Sequence, residues 1–281
     1  MKLFRHGPVG QEKAGLVDAD GVMRDLSSVV PDITPAVLDE AGLARLRAVD
    51  AASLPSLSAS ARLGACVGGV GNVLCIGLNY ADHAAEAGLK VPSQPVVFNK
   101  HTSSICGPHD DMWLPPGSTR MDWEVELGVV IGTPAWRVSE ADALRHVAGY
   151  CLVNDGSERS YQMDYEGQWV KGKSYPTHCP LGPWLVTPDE VGDVQSVDLW
   201  LDVNGERRQT GNTRTMIFSV AKVVSYLSQF MALQPGDVIP TGTPPGVGLG
   251  FKPPVFLNVG DEIRLGSPLL GEQRHKVVAV P

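Results

Sequence analysis

Three carboxylates in two short stretches are the side chains best placed to do chemistry. In Met121 to Gly132, MDWEVELGVVIG, Asp122, Glu124 and Glu126 alternate with Trp123, Val125 and Leu127. On a strand the acids would share one face and the apolar residues the other. An amphipathic strand with its acidic side in water has this pattern too. The continuation LGVVIG argues against that, because it is apolar at successive positions, as in a strand covered on both faces. Two ionised carboxylates about 5 Å apart repel by roughly 3 kcal/mol at an effective dielectric near 20, so a partly buried pair needs a cation or a shared proton. A third carboxylate, Asp155, ends the apolar run GYCLVND at a turn, a common place for functional groups. Taken alone, it also reads as a turn or capping aspartate. Three oxygen ligands without thiolate or histidine favour Mg²⁺, Mn²⁺ or Ca²⁺ over zinc. Three carboxylates and one dication leave one negative charge, so an anionic substrate needs further cations; Lys173 and Arg159 are candidates.

Lys173 lies in GQWVKGKS, Gly167 to Ser174, which matches the phosphate-loop pattern G-x-x-x-x-G-K-[ST] letter for letter. Such a loop works when a strand delivers it to the N-terminus of a helix. Here Pro176, Pro180 and Pro183 fall where that helix would continue, at about 3 kcal/mol each. The preceding RSYQMDYEG is polar and irregular rather than a strand. A nucleotide site is therefore disfavoured, though a nucleotide-binding protein stays as an alternative, and Lys173 is left for another role.

The elements that must position these residues are mostly short strands. From NVLCIGLNY onward, apolar runs alternate with Gly and Pro clusters: PVVFNK, WEVELGVVIG, GYCLVND, VDLWLDVNGE, GDVIPTGT, DEIRLGS and HKVVAV. VDLWLDV meets Asn204-Gly205, a hairpin signal. Two helices are expected, one over SEADALRHVAG with Ser139 as N-cap, the other through IFSVAKVVSYLSQFMAL and stopped by Pro235-Gly236. The second places Ile217, Val220, Val224, Leu227 and Met231 on one face, a core stripe. Residues 1–70 read as a smaller unit, with short strands around DADG, a helix in PAVLDEAGLARLRAVDA and a linker-like ASLPSLSASARLGA.

The whole chain sets further bounds. Its 281 residues can bury a substantial core, with 43% hydrophobic and 19% charged residues. No apolar run is long enough to cross a bilayer, and MKLFRHGPVG lacks the apolar core of a signal peptide. A net charge of −8 disfavours nucleic acid and anionic membranes as partners. Five cysteines without a C-x-x-C pair read as small buried hydrophobes. A cytoplasmic location is the expectation.

The series IGLNYADHAAE, DWEVELGVVIG, GYCLVNDGSER, WVKGKS, TMIFSVAKVVSYLSQFMALQPGDVIPTGTPPGVG and GDEIRLGS resembles the fumarylacetoacetate hydrolase family, in the family's order, over residues 71–281. Residues 1–70 resemble the variable N-terminal part of many members. The resemblance implies an α+β, β-rich fold, a mixed β-sandwich roll with a small N-terminal α/β domain (1–70) before the catalytic domain (71–281), and a homodimer. It implies Mg²⁺, or Mn²⁺ or Ca²⁺, on Glu124, Glu126 and Asp155. It makes Lys173 the active-site lysine and His83 with Glu86 a lid dyad; at i, i+3 on a short helix the two can face one side. Arg159, Gln162 and Thr243 match positions that contact the substrate's carboxylate end. Gly156, beside Asp155, stands where family members more often carry an apolar residue.

The chemistry so implied is hydrolysis of a carbon–carbon bond in an acylpyruvate or 2,4-diketo acid, a small anionic 2-oxo acid, through a metal-stabilised enolate. His83, oriented by Glu86, would act as base toward water. Oxaloacetate decarboxylation, isomerisation of a hydroxy-diene dioate and ureidoglycolate cleavage use the same site chemistry. A catalytically silent metal-binding protein is the alternative from another class.

Overall fold

The strand Val125–Ile131 is buried at all seven positions and lies inside the ten-stranded sheet, beside which the described residues form a five-stranded second sheet and a two-stranded one. Its alternation sorts the surroundings: Val125, Leu127, Val129 and Ile131 belong to one apolar cluster, and Val130 to another. The first cluster contains Leu199, Leu201, Ile263 and Leu265 of the second sheet, and Val220, Val223, Val224 and Leu227 of the helix Val220–Ser228. Glu124 and Glu126 therefore share the register of Val130 and point away from the second sheet.

The fold, taken from a computed structural model that describes residues 1–82 and 91–281, is β-rich with mixed sheets. Nine strands of the large sheet follow the spatial order Met23–Asp25, Lys13–Val17, Lys2–His6, Cys179–Val186, Val147–Asn154, Val125–Ile131, Val238–Pro240, Val73–Gly77, Val96–Lys100, and Ile105–Cys106 pairs off Cys179–Val186. The second sheet runs Glu206–Asn212, Asp198–Val203, Glu262–Ser267, Gly271–Ala279, Met112–Leu114. Most neighbours are antiparallel; Val238–Pro240 with Val73–Gly77 is one of the parallel pairs. The N-terminal residues extend the large sheet, Lys2 facing Val186 and Leu3 facing Leu185. Leu3, Leu26, Ile33 and Leu46 share a cluster with Leu181, Leu185 and Val238.

The hairpin at Asn204-Gly205 forms as its turn chemistry dictates, with φ of 52° and 78° at the two residues and Val203 facing Glu206. The helix Val220–Ser228 starts at Ser219, whose side chain accepts from Lys222 N, and ends well before Pro235-Gly236. Val220, Val224 and Leu227 are buried as expected, while Ile217 and Met231 are half-buried. The helix expected over SEADALRHVAG is instead a single 3₁₀ turn, Ala143–His146. Ser139 Oγ does bond Asp142 N and Asp142 Oδ2, but the next residues are drawn into the strand Val147–Asn154, and sheet pairing outcompetes the remaining helical turns. All five cysteines are free, four of them buried. Among the described residues no helix is long and apolar enough to cross a membrane.

Candidate active site

Register brings the three carboxylates together. Glu126 faces Val153 and Val125 faces Asn154 across the antiparallel pair, so the next residues out, Glu124 and Asp155, are opposite each other, with Asp155 N donating to Glu124 O at 2.9 Å. Residues opposite one another on antiparallel strands project to the same face. One oxygen from each of Glu124, Glu126 and Asp155 lies within 4.8 Å of the others, and all three residues are buried.

Asp122 is in the same cluster but is already committed. It accepts from Trp123 N at 2.8 Å, Gly248 N at 2.7 Å, Leu249 N at 3.0 Å and Arg159 Nε at 2.8 Å. It therefore anchors the loop around Gly248 and orients Arg159. The guanidinium also donates to Glu124 Oε1 at 2.7 Å and Gln162 Oε1 at 2.9 Å. Arg159 and Gln162 lie on the short helix Arg159–Met163, capped by Glu158, which accepts from Tyr161 N.

Lys173 ends a second short helix, Val170–Lys173, and its Nζ donates to Glu124 Oε2 at 2.6 Å and Asp155 Oδ2 at 2.7 Å. The phosphate-loop match thus describes a helix end inside a carboxylate cluster. Its glycines are not all accidental: a Cβ on Gly172 would lie 2.4 Å from Gln162 N and 2.5 Å from Glu158 O. Only glycine lets the two helices approach closely enough to bring Lys173 to the site. Gly156 has a similar reason, since a Cβ there would meet Met112 Cε at 2.7 Å and His178 O at 3.1 Å. The neighbouring strands already fill the space an apolar residue would take.

Thr243 follows the strand Val238–Pro240. Thr241 N donates to Leu127 O, Gly242 N to Glu126 Oε2 at 2.8 Å, and the Thr243 hydroxyl to Val125 O at 2.9 Å. That hydroxyl also accepts from Gln209 Nε2 at 2.8 Å, and Gln209 Oε1 accepts from Val125 N at 2.9 Å. His83 and Glu86 lie outside the described residues.

Two residues of this network carried no clear signal. Lys100, at the end of Val96–Lys100, donates to Asp155 Oδ1 at 2.6 Å and Gly156 O at 3.0 Å, with neither side chain of the ion pair exposed. Its one trace in the sequence is a lysine closing the apolar run PVVFNK. Gln209, fully buried on Glu206–Asn212, ties the second sheet to the glutamate strand and to Pro244 O.

The electrostatics follow from these contacts. Burial pushes the Glu124 carboxyl up, but Lys173 and then Arg159 more than offset it, leaving its pKa at about 2. Burial, then Asp155 and Glu124, pushes Glu126 well above the carboxylate range. For Lys173 burial acts downward, and Asp155 and Glu124 outweigh it. Four carboxylates (Asp122, Glu124, Glu126, Asp155) face three cations (Lys100, Arg159, Lys173), so the charges balance only while Glu126 holds a proton or a further cation joins the cluster. Among the described residues Glu126 has no cationic partner. A buried cluster of hard oxygen donors with one carboxyl unpaired fits a divalent ion of the Mg²⁺ or Mn²⁺ type.

A cavity of about 320 Å³ opens onto this cluster, lined by Glu124, Glu126, Arg159, Gln162, Lys173 and Thr243 together with apolar residues and glycines. Residues 72–278 match the sequence model of the fumarylacetoacetate (FAA) hydrolase C-terminal family. This chain belongs to the fumarylacetoacetate hydrolase family. A Burkholderia multivorans protein named as a hydrolase, without a stated substrate, is 64% identical over 274 residues, 97% of each chain. Among solved structures, a probable 2-hydroxyhepta-2,4-diene-1,7-dioate isomerase from Mycobacterium abscessus is 36% identical, with TM-score 0.85 and 100% of each chain covered. The maleylpyruvate hydrolase of Sphingobium sp. SYK-6, crystallised with manganese(II) and pyruvate, is 30% identical, with TM-score 0.83 and the same coverage. The protein is an enzyme of this family, whose neighbours act as hydrolases or isomerases.

Proposed function

We propose that this enzyme hydrolyses a carbon–carbon bond in an acylpyruvate or 2,4-diketo acid, with a divalent ion held by Glu124, Glu126 and Asp155. The observation that carries this reading is the convergence of that triad with Lys173, of which Glu124, Glu126 and Lys173 line the cavity and Asp155 lies buried behind them. A bound divalent ion supplies Lewis-acid stabilisation where negative charge develops on the 2-oxo-acid end. Lys173 Nζ, held between Glu124 and Asp155, adds positive charge toward the same oxygen.

Gln162 receives Arg159 on its Oε1, which leaves its amide N–H₂ to donate to the substrate carboxylate. Because the Thr243 hydroxyl is taken by Val125 and Gln209, this reading assigns to Thr243 its backbone N–H rather than its side chain. His83, oriented by Glu86, takes a proton from the water that attacks the distal carbonyl. The new C–O bond forms, the C–C bond breaks, and the 2-oxo acid leaves as its enolate and is protonated. The reading includes a homodimer in the cytoplasm; light scattering in solution checks the dimer.

The test is release of pyruvate from acylpyruvates with Mn²⁺ or Mg²⁺ and with EDTA. Cleavage that EDTA does not abolish, or carbon dioxide release from oxaloacetate with no cleavage of any acylpyruvate, sinks the proposal. The isomerase name of the Mycobacterium abscessus neighbour supports a second reading, proton shuttling in a hydroxy-diene dioate without consumption of water. Product analysis by NMR separates the two.

A further inference from the structure

Among the described residues the polar lining of the cavity is confined to those around the triad, and the rest is aliphatic and aromatic side chains, one thioether and glycine. Phe98 and Trp169 meet edge to face, with ring centroids 5.2 Å apart. Trp169 is pressed against the backbone of Val73–Gly77, since a Cβ on Gly77 would lie 2.8 Å from its ring. Ile76, Leu78, Met163 and Leu249 continue this apolar wall.

The cations tell the same story. Arg159 and Lys173 are the two that line the cavity among the described residues, and both are already opposed by carboxylates of the cluster. Lys171 and Arg120 do not line it: Lys171 Nζ is bonded to Tyr165 O, and Arg120 is paired with Asp164 at 2.9 Å. A carboxylate laid against this wall would be desolvated without a partner among the described residues, which is costly, whereas an alkyl or aryl group there removes apolar surface from water on both sides.

Resting on the reading above, we infer that the substrate's far end, beyond the carbonyl that water attacks, is an uncharged alkyl or aryl group packed against Phe98, Trp169, Leu78, Met163 and Leu249, and not a second carboxylate. This separates the chain from relatives named for dioates. The 2-oxo-acid end lies at the charged cluster and the acyl chain against the apolar side chains.

A matched pair of ligands tests this: 2,4-dioxooctanoate, ending in methyl, and 2,4-dioxooctanedioate, ending in carboxylate, each with the Mn²⁺-loaded protein. The expected preference for the methyl-ended acid is about 100-fold in kcat/KM. Equal or better use of the dioate overturns the inference. If neither is cleaved, the hydrolase reading fails, and calorimetric titration of the same pair decides the inference separately: tighter binding of the methyl-ended acid supports it, and equal or tighter binding of the dioate overturns it. Met163 is 43% exposed, so Met163→Lys should be tolerated by the fold and should narrow the preference by about tenfold. A preference that the lysine leaves unmoved refutes the placement of the chain's end on this wall.

Discussion

Lys100→Met isolates the least expected part of the site. The substitution keeps the length of the stem but removes the ammonium that donates to Asp155 Oδ1 at 2.6 Å and Gly156 O at 3.0 Å, in a place where neither partner of the ion pair is exposed. Asp155 then has Lys173 as its remaining cation, and the cluster keeps two cations, Arg159 and Lys173, against its carboxylates. Removing one partner of a buried pair typically costs about 3–5 kcal/mol. At about 2.1 cal/mol/K per residue of unfolding entropy, 281 residues convert that into a fall in apparent Tm of about 5–9 °C. Calorimetry in EDTA should show that fall. With saturating Mn²⁺ the gap from the wild type should narrow, because the dication restores positive charge beside Asp155. A Tm within about 1 °C of wild type in EDTA would mean the pair contributes no more than a surface contact does. A gap that widens with Mn²⁺ would show that Lys100 acts by holding Asp155 in shape rather than by its charge.

Other substitutions probe the remaining links. Glu126→Gln keeps an acceptor for Gly242 N but removes the carboxylate that has no cationic partner among the described residues. Without metal it should stabilise the protein by about 1 kcal/mol or more in urea unfolding, while Mn²⁺ loses its stabilising effect and turnover falls roughly 100-fold. Gly172→Ala drives a Cβ into Gln162 N and Glu158 O, backbone that cannot swing away. It should cost about 1–3 kcal/mol and lower kcat by more than that loss explains, since Lys173 is displaced; unchanged kcat counts against the close helix approach. His178 is buried, its Nε2–H donates to Trp113 O at 2.9 Å, and burial holds its pKa down to about 3. The unfolded chain binds the proton that the native state refuses, so this stability is complete above about pH 6.5 and is lost as pH falls toward 3. Between pH 7.5 and pH 5 the loss is about 2 kcal/mol. His178→Gln should lose correspondingly less over that interval in urea titrations, and an identical loss would show that His178 is not the titrating group.

The acidic face and most of the strands that carry it were legible in the sequence. Alternation in MDWEVE put three acids on one face, and the apolar LGVVIG required that face to be covered. The runs PVVFNK, GYCLVND, VDLWLDV and DEIRLGS were legible as strands because a half or fully buried pleat needs those side chains at those intervals. Prolines excluded a phosphate loop around Lys173, but they also hid Cys179–Val186, a strand whose pairing with Val147–Asn154 shifts register along its length. The short helix at SEADALRHVAG was overstated, because local propensity cannot weigh a competing sheet partner.

Which charges meet depends on the folded arrangement of distant segments. Lys100 lies 55 residues from Asp155 along the chain, and Gln209 reaches the glutamate strand from the other sheet. Neither pairing leaves a local pattern, because an ion pair or hydrogen bond between distant segments constrains their separation in space and not the residues beside them in sequence. The setting of apolar side chains beside the charged cluster has the same origin. Ile76, Phe98, Met163, Trp169 and Leu249 come from five separate segments, and only the sheet order and the glycine contact at Gly172 bring them around one carboxylate triad.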